Sequence, residues 1–127
     1  MGFQPEIYAI RSDSKETTAL DGVTSTTTSS TITLSGYSRI SVQVIATAIS
    51  SGNGVFIVEV SNDDSNWKQL QSLITNVTAQ TAAASVTLSA NGNELMFLDP
   101  ELRFKYMRVK VTRTTDGTYS AKVFTQL

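Results

Sequence analysis

The stretch YSRISVQVIA, residues 37–46, decides the fold class. Apolar side chains occupy every second position in it, namely Ile40, Val42, Val44 and Ala46. Because successive residues of an extended chain point to opposite faces, this alternation is typical of a β-strand that buries one face and exposes the other. The stretch therefore predicts a half-buried strand.

The same alternation recurs elsewhere in the chain. Residues 103–113 and 118–126 repeat it toward the C-terminus, whereas Val55 to Val58 are apolar without interruption. An uninterrupted run indicates a strand that lies centrally in its sheet or is covered on both faces. No window keeps the apolar spacing of three and four residues that marks a helix. The sequence predicts strands at roughly 5–11, 29–35, 37–48, 54–61, 67–74, 84–89, 94–98, 103–113 and 118–126.

Turn-forming residue pairs lie between or at the ends of these apolar runs. Asn-Gly and Asp-Gly pairs accept the positive φ of tight hairpin turns, and they occur at Asp21-Gly22, Asn53-Gly54, Asn91-Gly92 and Asp116-Gly117. Many short strands separated by such turns, without a helical segment, indicate an all-β protein. We expect an antiparallel β-sandwich with jelly-roll-like topology.

The length of 127 residues suits one domain with a buried core and not two. We expect the sandwich to comprise residues 31–127. Residues 1–30 precede it as an N-terminal strand or arm followed by a polar loop. The part from Ser12 to Ser30 is rich in Thr and poor in large apolar residues, so it has little surface to bury.

A short apolar patch lies near the start of the chain, formed by Phe3, Ile7, Tyr8 and Ile10. A polar tether with an apolar tip is suited to anchoring on a neighbouring chain, and this hypothesis assigns the four residues to partner binding. The alternative is an ordinary first strand at 5–11 that pairs within the same sandwich. Composition leaves both possibilities open.

The composition excludes several classes of function. The chain has no cysteine and no histidine, which excludes disulfides, thiolate nucleophiles, Cys/His zinc sites and Ser-His-Asp catalysis. Ten Lys and Arg stand against 11 Asp and Glu, so the net charge of -1 gives no electrostatic drive toward nucleic acid or an anionic membrane. No apolar run approaches the roughly 20 residues of a membrane-spanning helix, and the N-terminus shows no secretory signal. We expect no enzymatic activity and no cofactor.

One segment is locally basic. It carries Arg103, Lys105, Arg108, Lys110 and Arg113. Charged residues along a strand usually form its solvated face. A phosphate-binding stripe is the second interpretation, which the neighbouring aromatic residues Phe104 and Tyr106 keep open.

The most individual stretch is VEVSNDDSNW, residues 58–67, in which an alternating strand runs into an acidic loop. Its oxygen-bearing side chains suit a hard cation such as Ca²⁺, and Asp63 and Asp64 are the candidate ligands. The glycine and the closing glutamate of an EF-hand are absent, however. Asn and Asp also favour tight turns, because their side chains bond to nearby backbone amides. We interpret the loop as a hairpin corner without a metal.

Trp67, the single tryptophan, ends this loop. A hairpin closed by the loop would return Trp67 beside Val58 or Val60, where it would pack at the core or at its edge. The competing interpretation is a platform for a sugar ring. We favour the structural role.

Four elements occur in order along the chain: YSRISVQV (37–44), VEVSNDDSNW (58–67), RFKYMRVKVT (103–112) and DGTYSAKV (116–123). Together they resemble small β-sandwich virion proteins of tailed bacteriophages, of the kind that decorate or cement a capsid. The likeness covers residues 37–123 and rests on structural positions, among them Trp67, Tyr106 and Arg108.

This resemblance implies a virion protein at the capsid surface that stabilises the head by bridging capsid subunits. Its implied partners are the major capsid protein or other virion subunits, and its implied state is a homo-oligomer such as a trimer. VEVSNDDSNW and the later YMRV also resemble parts of discoidin-like carbohydrate-binding modules, which gives the alternative of a glycan-binding or host-adhesion module. Asp64 stands where those modules carry a loop glycine, and the shared parts are those that build the sandwich, so sugar binding does not carry over with them.

Overall fold

A computed structural model of the chain describes residues 14–34, 36–75 and 80–127. All regular secondary structure in these ranges is β-strand. The strands are β1 (Ser14–Val23), β2 (Thr27–Thr28), β3 (Ile32–Thr33), β4 (Arg39–Thr47), β5 (Asn53–Ser61), β6 (Lys68–Gln69), β7 (Leu73–Thr75), β8 (Thr81–Ala83), β9 (Val86–Leu88), β10 (Gly92–Leu98), β11 (Tyr106–Thr114) and β12 (Thr118–Gln126).

The strands form two antiparallel sheets packed into a sandwich, as the sequence predicts. Sheet A has the order β1-β12-β4-β10-β7-β8. In sheet B, β11 and β5 pair along their full lengths at the centre. β2 and β3 share the free side of β11, and β6 and β9 share the free side of β5.

This strand order confirms the jelly-roll topology. The first described strand lies beside the last in sheet A, and the chain crosses between the sheets from β4 to β5, from β10 to β11 and from β11 to β12. Such crossings wrap consecutive strands around one core, which is the arrangement of a jelly roll. The hairpin of β7 and β8 is an addition that widens sheet A beyond β10.

The core fills the space between the two sheets. Burial alternates along β4 and β11 with the period that the sequence shows. β5 is central in sheet B, as its apolar run indicates, although Val55 and Ile57 remain half-buried on its outer face. Each fully buried aliphatic side chain is worth about 1.5–3 kcal/mol relative to exposure. The largest fully buried side chains are Tyr119, Phe56, Leu20, Leu73, Met96, Met107, Val42, Val44, Val58, Val109, Val111 and Val123.

The interpretation of residues 12–30 as a loop is wrong for Ser14–Val23. This segment forms the edge strand β1 and pairs with β12 from Ser14–Gln126 to Val23–Tyr119. Leu20 is 2 % exposed and belongs to the core. One well-placed leucine and a long backbone ladder therefore fix a strand that polar composition hides. The predicted strand at 5–11 lies outside the described residues.

Two of the four predicted turn pairs lie inside strands. Asn53 and Gly54 open β5. Gly22, with a φ of 61°, lies in β1 within a register irregularity between Leu20 and Val23. Glycine in a strand often marks such a bulge or a close approach of another group. Asp116-Gly117 does lie in the turn between β11 and β12, as predicted.

At one end of the sandwich, hydrogen bonds join the two loops that cross between the sheets, and we call this region the Asp116 corner. The Asp116 carboxylate accepts hydrogen bonds from the backbone N–H groups of Ser50, Ser51 and Gly52, at 2.9–3.3 Å. The Tyr119 hydroxyl donates to the carbonyl of Asp116 at 2.9 Å, and its buried ring meets Phe56 edge to face. The loop after β4 is thereby bound to the loop after β11.

Candidate functional site

The acidic loop is held by its own side chains. Asp63 Oδ1 accepts hydrogen bonds from the Ser61 hydroxyl and from the N–H groups of Ser65 and Asn66, at 2.8–3.0 Å. Its Oδ2 accepts from the Asn66 side-chain amide at 2.7 Å. Asp64 takes a left-handed conformation, with a φ of 59°. The loop is the corner of the β5–β6 hairpin, as the sequence predicts.

These contacts hold the Asp63 carboxylate in its charged form. The backbone N–H of Asn66, the Asn66 side-chain amide, the Ser65 N–H and the Ser61 hydroxyl lower the pKa of Asp63 well below its ordinary range. Hydrogen bonds to a carboxylate favour its charged state. Four donors from within the loop therefore stabilise the turn through the Asp63 carboxylate.

The second aspartate and the loop asparagine anchor the corner to its surroundings. Asp64 Oδ1 accepts a hydrogen bond from the Thr31 hydroxyl at 2.6 Å, and Asn62 Oδ1 accepts from the Lys105 N–H at 2.9 Å. Within the described ranges, no group of three or more acidic residues lies close enough to hold a metal ion. The polar groups of this loop thus serve its attachment to sheet B.

Trp67 lies on the outer face of sheet B. The register pairs Val60 with Lys68, so Trp67 falls opposite Ser61 instead of Val58 or Val60. A shift of one residue moves a side chain to the other face of a sheet. Trp67 is half-buried, and its ring stacks on Arg108, whose guanidinium carbon lies 4.2 Å from the ring centroid. The tryptophan therefore packs against a cation, outside the buried core.

Trp67 and three further side chains form a surface that we call the Trp67 cluster. Its residues are Glu59, Trp67, Tyr106 and Arg108. Arg108 Nε lies 2.8 Å from Glu59 Oε1, and these two residues are opposite each other on β11 and β5. Their side chains are 29 % and 20 % exposed, so the pair is partly shielded from water. Tyr106 precedes Arg108 by two positions and faces the same way. The sequence prediction named three of these four residues and missed Glu59, whose outward position in a strand was its available signal.

The basic segment does not form one stripe. Arg103 and Lys105 precede β11, and Arg103 donates to the carbonyl of Pro100. Arg113 lies at a position of β11 that faces away from the side of Arg108 and Lys110. Its side chain donates a hydrogen bond to the carbonyl of Gly117 at 2.9 Å. The five charges therefore diverge, because β11 begins only at Tyr106 and successive residues change face.

The outer face of sheet A carries a second distinct surface. Phe124 of β12 and Phe97 of β10 both lie opposite Ser41 of β4, so two aromatic rings flank a small residue across three adjacent strands. A mostly apolar groove of ≈ 490 Å³ results, which we call the aromatic groove. Its lining residues include Arg39, Ser41, Phe97, Pro100, Phe124 and Gln126.

Sequence reasoning missed the aromatic groove. Phe124 is 37 % exposed and Phe97 is half-buried. The signal was present, since Phe124 alternates with buried Val123 and Thr125 and must point outward. Aromatic residues are enriched in protein interfaces relative to the rest of the surface, so two neighbouring outward Phe side chains mark a candidate contact surface. The predicted partner-binding residues Phe3, Ile7, Tyr8 and Ile10 lie outside the described residues.

Comparisons with known proteins define what the fold resembles. No family model matches the chain, and no curated protein matches it. The crystal structure of the SPBc2 prophage-derived protein YomS matches with a TM-score of 0.68 and 17% identity, covering 89% of this chain and 92% of that chain. A structure of infectious bursal disease virus, Gx strain, matches with a TM-score of 0.45 and 12% identity, over 89% of this chain and 32% of that chain.

No helix that could cross a membrane occurs in the part of the chain that the structure describes.

The chain shares with YomS a β-sandwich that extends over nearly the full length of both proteins.

Proposed function

We propose that this protein is a structural component of a bacteriophage virion, and specifically a decoration or cement protein of the head. The observation that carries the proposal is the match to a prophage-derived protein over 89% of this chain and 92% of that one. A shared fold does not fix a function by itself. The sequence resemblance to capsid-decorating sandwiches supports the same role independently.

The Trp67 cluster is the surface that we assign to the capsid partner. Trp, Tyr and Arg are the residue types that dominate binding energy in protein interfaces. Here they lie together on the outer face of sheet B, and the ion pair between Arg108 and Glu59 holds the guanidinium in place. A preorganised cluster loses less side-chain entropy on binding than free side chains would. The proposed partner is the major capsid protein or another virion subunit.

A cement protein acts by mass action. It adds buried interface where capsid subunits meet, so opening the head breaks its contacts as well as those of the capsid. Stable interfaces bury on the order of 1,200–2,000 Å² in total, or about 800 Å² on each partner, an area that one face of the sandwich can supply. On the resemblance to capsid-decorating sandwiches, we propose that the protein binds as a homo-oligomer, such as a trimer. The proposed role is structural, without catalysis.

The alternative of a glycan-binding module would use Trp67 as the sugar platform. Arg108 already covers one face of that ring at 4.2 Å. The loop beside it is closed by the contacts of Asp63. Neither observation favours a sugar, and the head-stabilising role remains our proposal.

The test uses phage particles from a strain whose copy of the encoding gene is deleted. Adding the purified protein should restore binding to the particles and raise the temperature at which they release DNA. Arg108→Glu should abolish binding, because it reverses the charge at the centre of the Trp67 cluster. Lys122→Glu, on the outer face of sheet A, is the matched control and should bind normally. Absence of the protein from intact wild-type particles, measured by mass spectrometry, would contradict the proposal.

A further inference from the structure

One row of side chains crosses the entire outer face of sheet A. It contains the aromatic groove, in which Phe124 and Phe97 flank Ser41. The pairing of the strands extends this row on both sides, to the first strand of the sheet and to the last. From β1 to β8, its residues are Glu16, Phe124, Ser41, Phe97, Ile74 and Ala82.

The outer face of sheet A is more apolar than a solvated sheet face. The solvated face of an antiparallel sheet usually carries polar residues at its outward positions. Ile45 of β4 and Leu95 of β10 lie at outward positions beside the row and are half-buried. Together with Ile74, Phe97 and Phe124, they place large apolar side chains on four neighbouring strands. Homodimer interfaces are more apolar than the rest of a protein surface, so this composition suits a second copy of the chain.

The row is complementary to itself when its direction is reversed. Consider a second copy related by a twofold axis that is parallel to the strands and lies between β4 and β10. Phe97 of each copy then lies over Ser41 of the other, and Phe124 lies over Ile74. The central rings thus face small side chains, and the flanking contacts join apolar groups. Two sheets interdigitate when large and small residues alternate across facing positions in this way.

The twist of the sheets leaves the central contact in place. Sheets stacked face to face lie about 10 Å apart, and their strand directions differ by about 30°. This rotation displaces side chains least near the axis, and β4 and β10 are the two strands beside it. The fit therefore depends most on Ser41 and Phe97, whereas the exposed Glu16 and Ala82 lie at the rim.

The area of this face is sufficient for one dimer interface. At the usual spacing of strands and rise per residue, the strands of sheet A have a flat footprint of about 700 Å². Side chains that stand out from the sheet make the accessible area larger than this footprint. A stable interface needs about 800 Å² on each partner. The outer face of sheet A reaches this size without a contribution from sheet B.

We propose that the outer face of sheet A binds a second copy of this chain in a twofold dimer, with Phe97 of each copy packed over Ser41 of the other. A twofold interface uses the same surface on both subunits, as the self-complementary row allows. The dimer takes the place of the trimer that the resemblance implies, and it leaves the Trp67 cluster accessible on both of its outer sides. The inference goes beyond the proposed function, because it holds or fails in solution whether or not the protein belongs to a virion.

Light scattering of the purified full-length protein tests the oligomeric state. We expect twice the mass of one chain at about 100 μM, and dissociation toward one chain on dilution, because an interface near the lower end of the stable size range binds weakly. The mass of a single chain at that concentration would overturn the proposal, and so would the mass of three chains.

An exchange of the two central residues tests the pairing itself. Ser41→Phe alone places ring against ring, and Phe97→Ser alone leaves an unfilled space. Each substitution occurs twice in a twofold interface, so either should raise the dissociation constant at least about tenfold. The double variant Ser41→Phe with Phe97→Ser again places a ring over a serine, and it should recover most of the lost affinity.

Thr112→Phe is the matched control for these variants. It adds a ring at an exposed outward position of sheet B and should leave the dissociation constant unchanged. Thermal melts of each variant, at a concentration where the natural protein is monomeric, separate loss of association from loss of folding. A folded double variant that associates as weakly as the single variants would overturn the pairing of Phe97 with Ser41.

Discussion

β5 begins at one aspartate turn and ends at another. At its start, Asp116 binds three backbone amides that lie 64–66 residues away in sequence. At its end, Asp63 binds donors only two or three residues away. Each turn also has an aromatic companion, which is the buried Tyr119 in the first case and the half-exposed Trp67 in the second.

The difference lies in what each carboxylate joins. Asp116 connects the loop after β4 to the loop after β11, so it fixes the position of sheet A relative to sheet B. Asp63 shapes a single hairpin. The chemistry of the two sites is the same, but only the first resists the separation of the sheets. We expect perturbations at the Asp116 corner to lower global stability, and those at the Asp63 hairpin to have small or local effects.

The largest effect should come from Tyr119→Ala. The ring is fully buried and meets Phe56 at 5.9 Å between centroids. Removing a buried aromatic side chain costs about 3–5 kcal/mol of unfolding free energy. Urea denaturation followed by circular dichroism measures it. Tyr119→Phe, the control, should cost about 1 kcal/mol, since it loses only the hydrogen bond to Asp116. A loss for Tyr119→Ala no greater than that for Trp67→Ala would remove the contrast between the two turns.

A smaller loss should follow Gly52→Ala. A Cβ at this position would overlap the carbonyl oxygen of Thr114 and the backbone nitrogen of Asp116. The two crossing loops would have to move apart, which costs about 1–3 kcal/mol for a forced overlap. Ser51→Ala is the control, because it keeps the backbone N–H that binds Asp116. Equal melting temperatures for the two variants, at one protein concentration, would show that the corner is not tightly packed.

The sequence predicts the central strands of this fold well and its edges poorly. β4, β11 and β12 show periodicity because each buries one side of a long ladder between the two sheets, and β5 shows an apolar run because it lies at the centre of sheet B. β1 has one fully buried leucine, so its pairing depends on β12 at the other end of the chain, and no local pattern reveals it. The pair Asn53-Gly54 misleads for a related reason. Gly54 pairs within sheet B, and the ring of Tyr119 fills the space that a side chain there would need, so this glycine serves close packing and not a turn.

The candidate site also has parts that depend on local contacts, which the sequence predicts, and parts that depend on long-range pairing, which it does not. The hairpin corner at Asp63 could be predicted because all its hydrogen bonds are local. The face on which Trp67 lies could not, since it depends on a register of one residue between β5 and β6. The aromatic groove depends on three strands that meet only in the folded sheet, so no single stretch of the sequence reveals it.

Trp67→Ala should cost about 1–2 kcal/mol, less than a core substitution. The contact that it removes is the stacking of the ring on Arg108 in a partly shielded position. Unfolding free energies of Trp67→Ala, Arg108→Met and the double variant isolate this contact. Strictly additive losses would mean that the ring and the guanidinium do not interact in solution.

The smallest effect should appear in acid. Hydrogen bonds from the N–H groups of Asn66 and Ser51, respectively, lower the pKa of Asp63 and of Asp116. Their contribution to stability is present above the unfolded pKa of about 3.9 and is lost as the pH falls below it. Asp116→Asn and Asp63→Asn should therefore be less stable than the natural protein at pH 7, Asp116→Asn by the larger margin, and approach it toward pH 2. Thermal melts between these values measure the convergence, and a constant difference at every pH would contradict it.

Pairing of the first described strand with the last sets the time at which this protein can fold. Ser14 pairs with Gln126, so sheet A cannot be completed before β12 has been made. At a synthesis rate of 5–20 residues per second, 127 residues take roughly 6 to 25 s. During that interval, β1 and the side of β4 that later receives β12 have no strand partner. A chain shortened before β12 would lose the partner of its first described strand, and this long-range pairing makes folding slow.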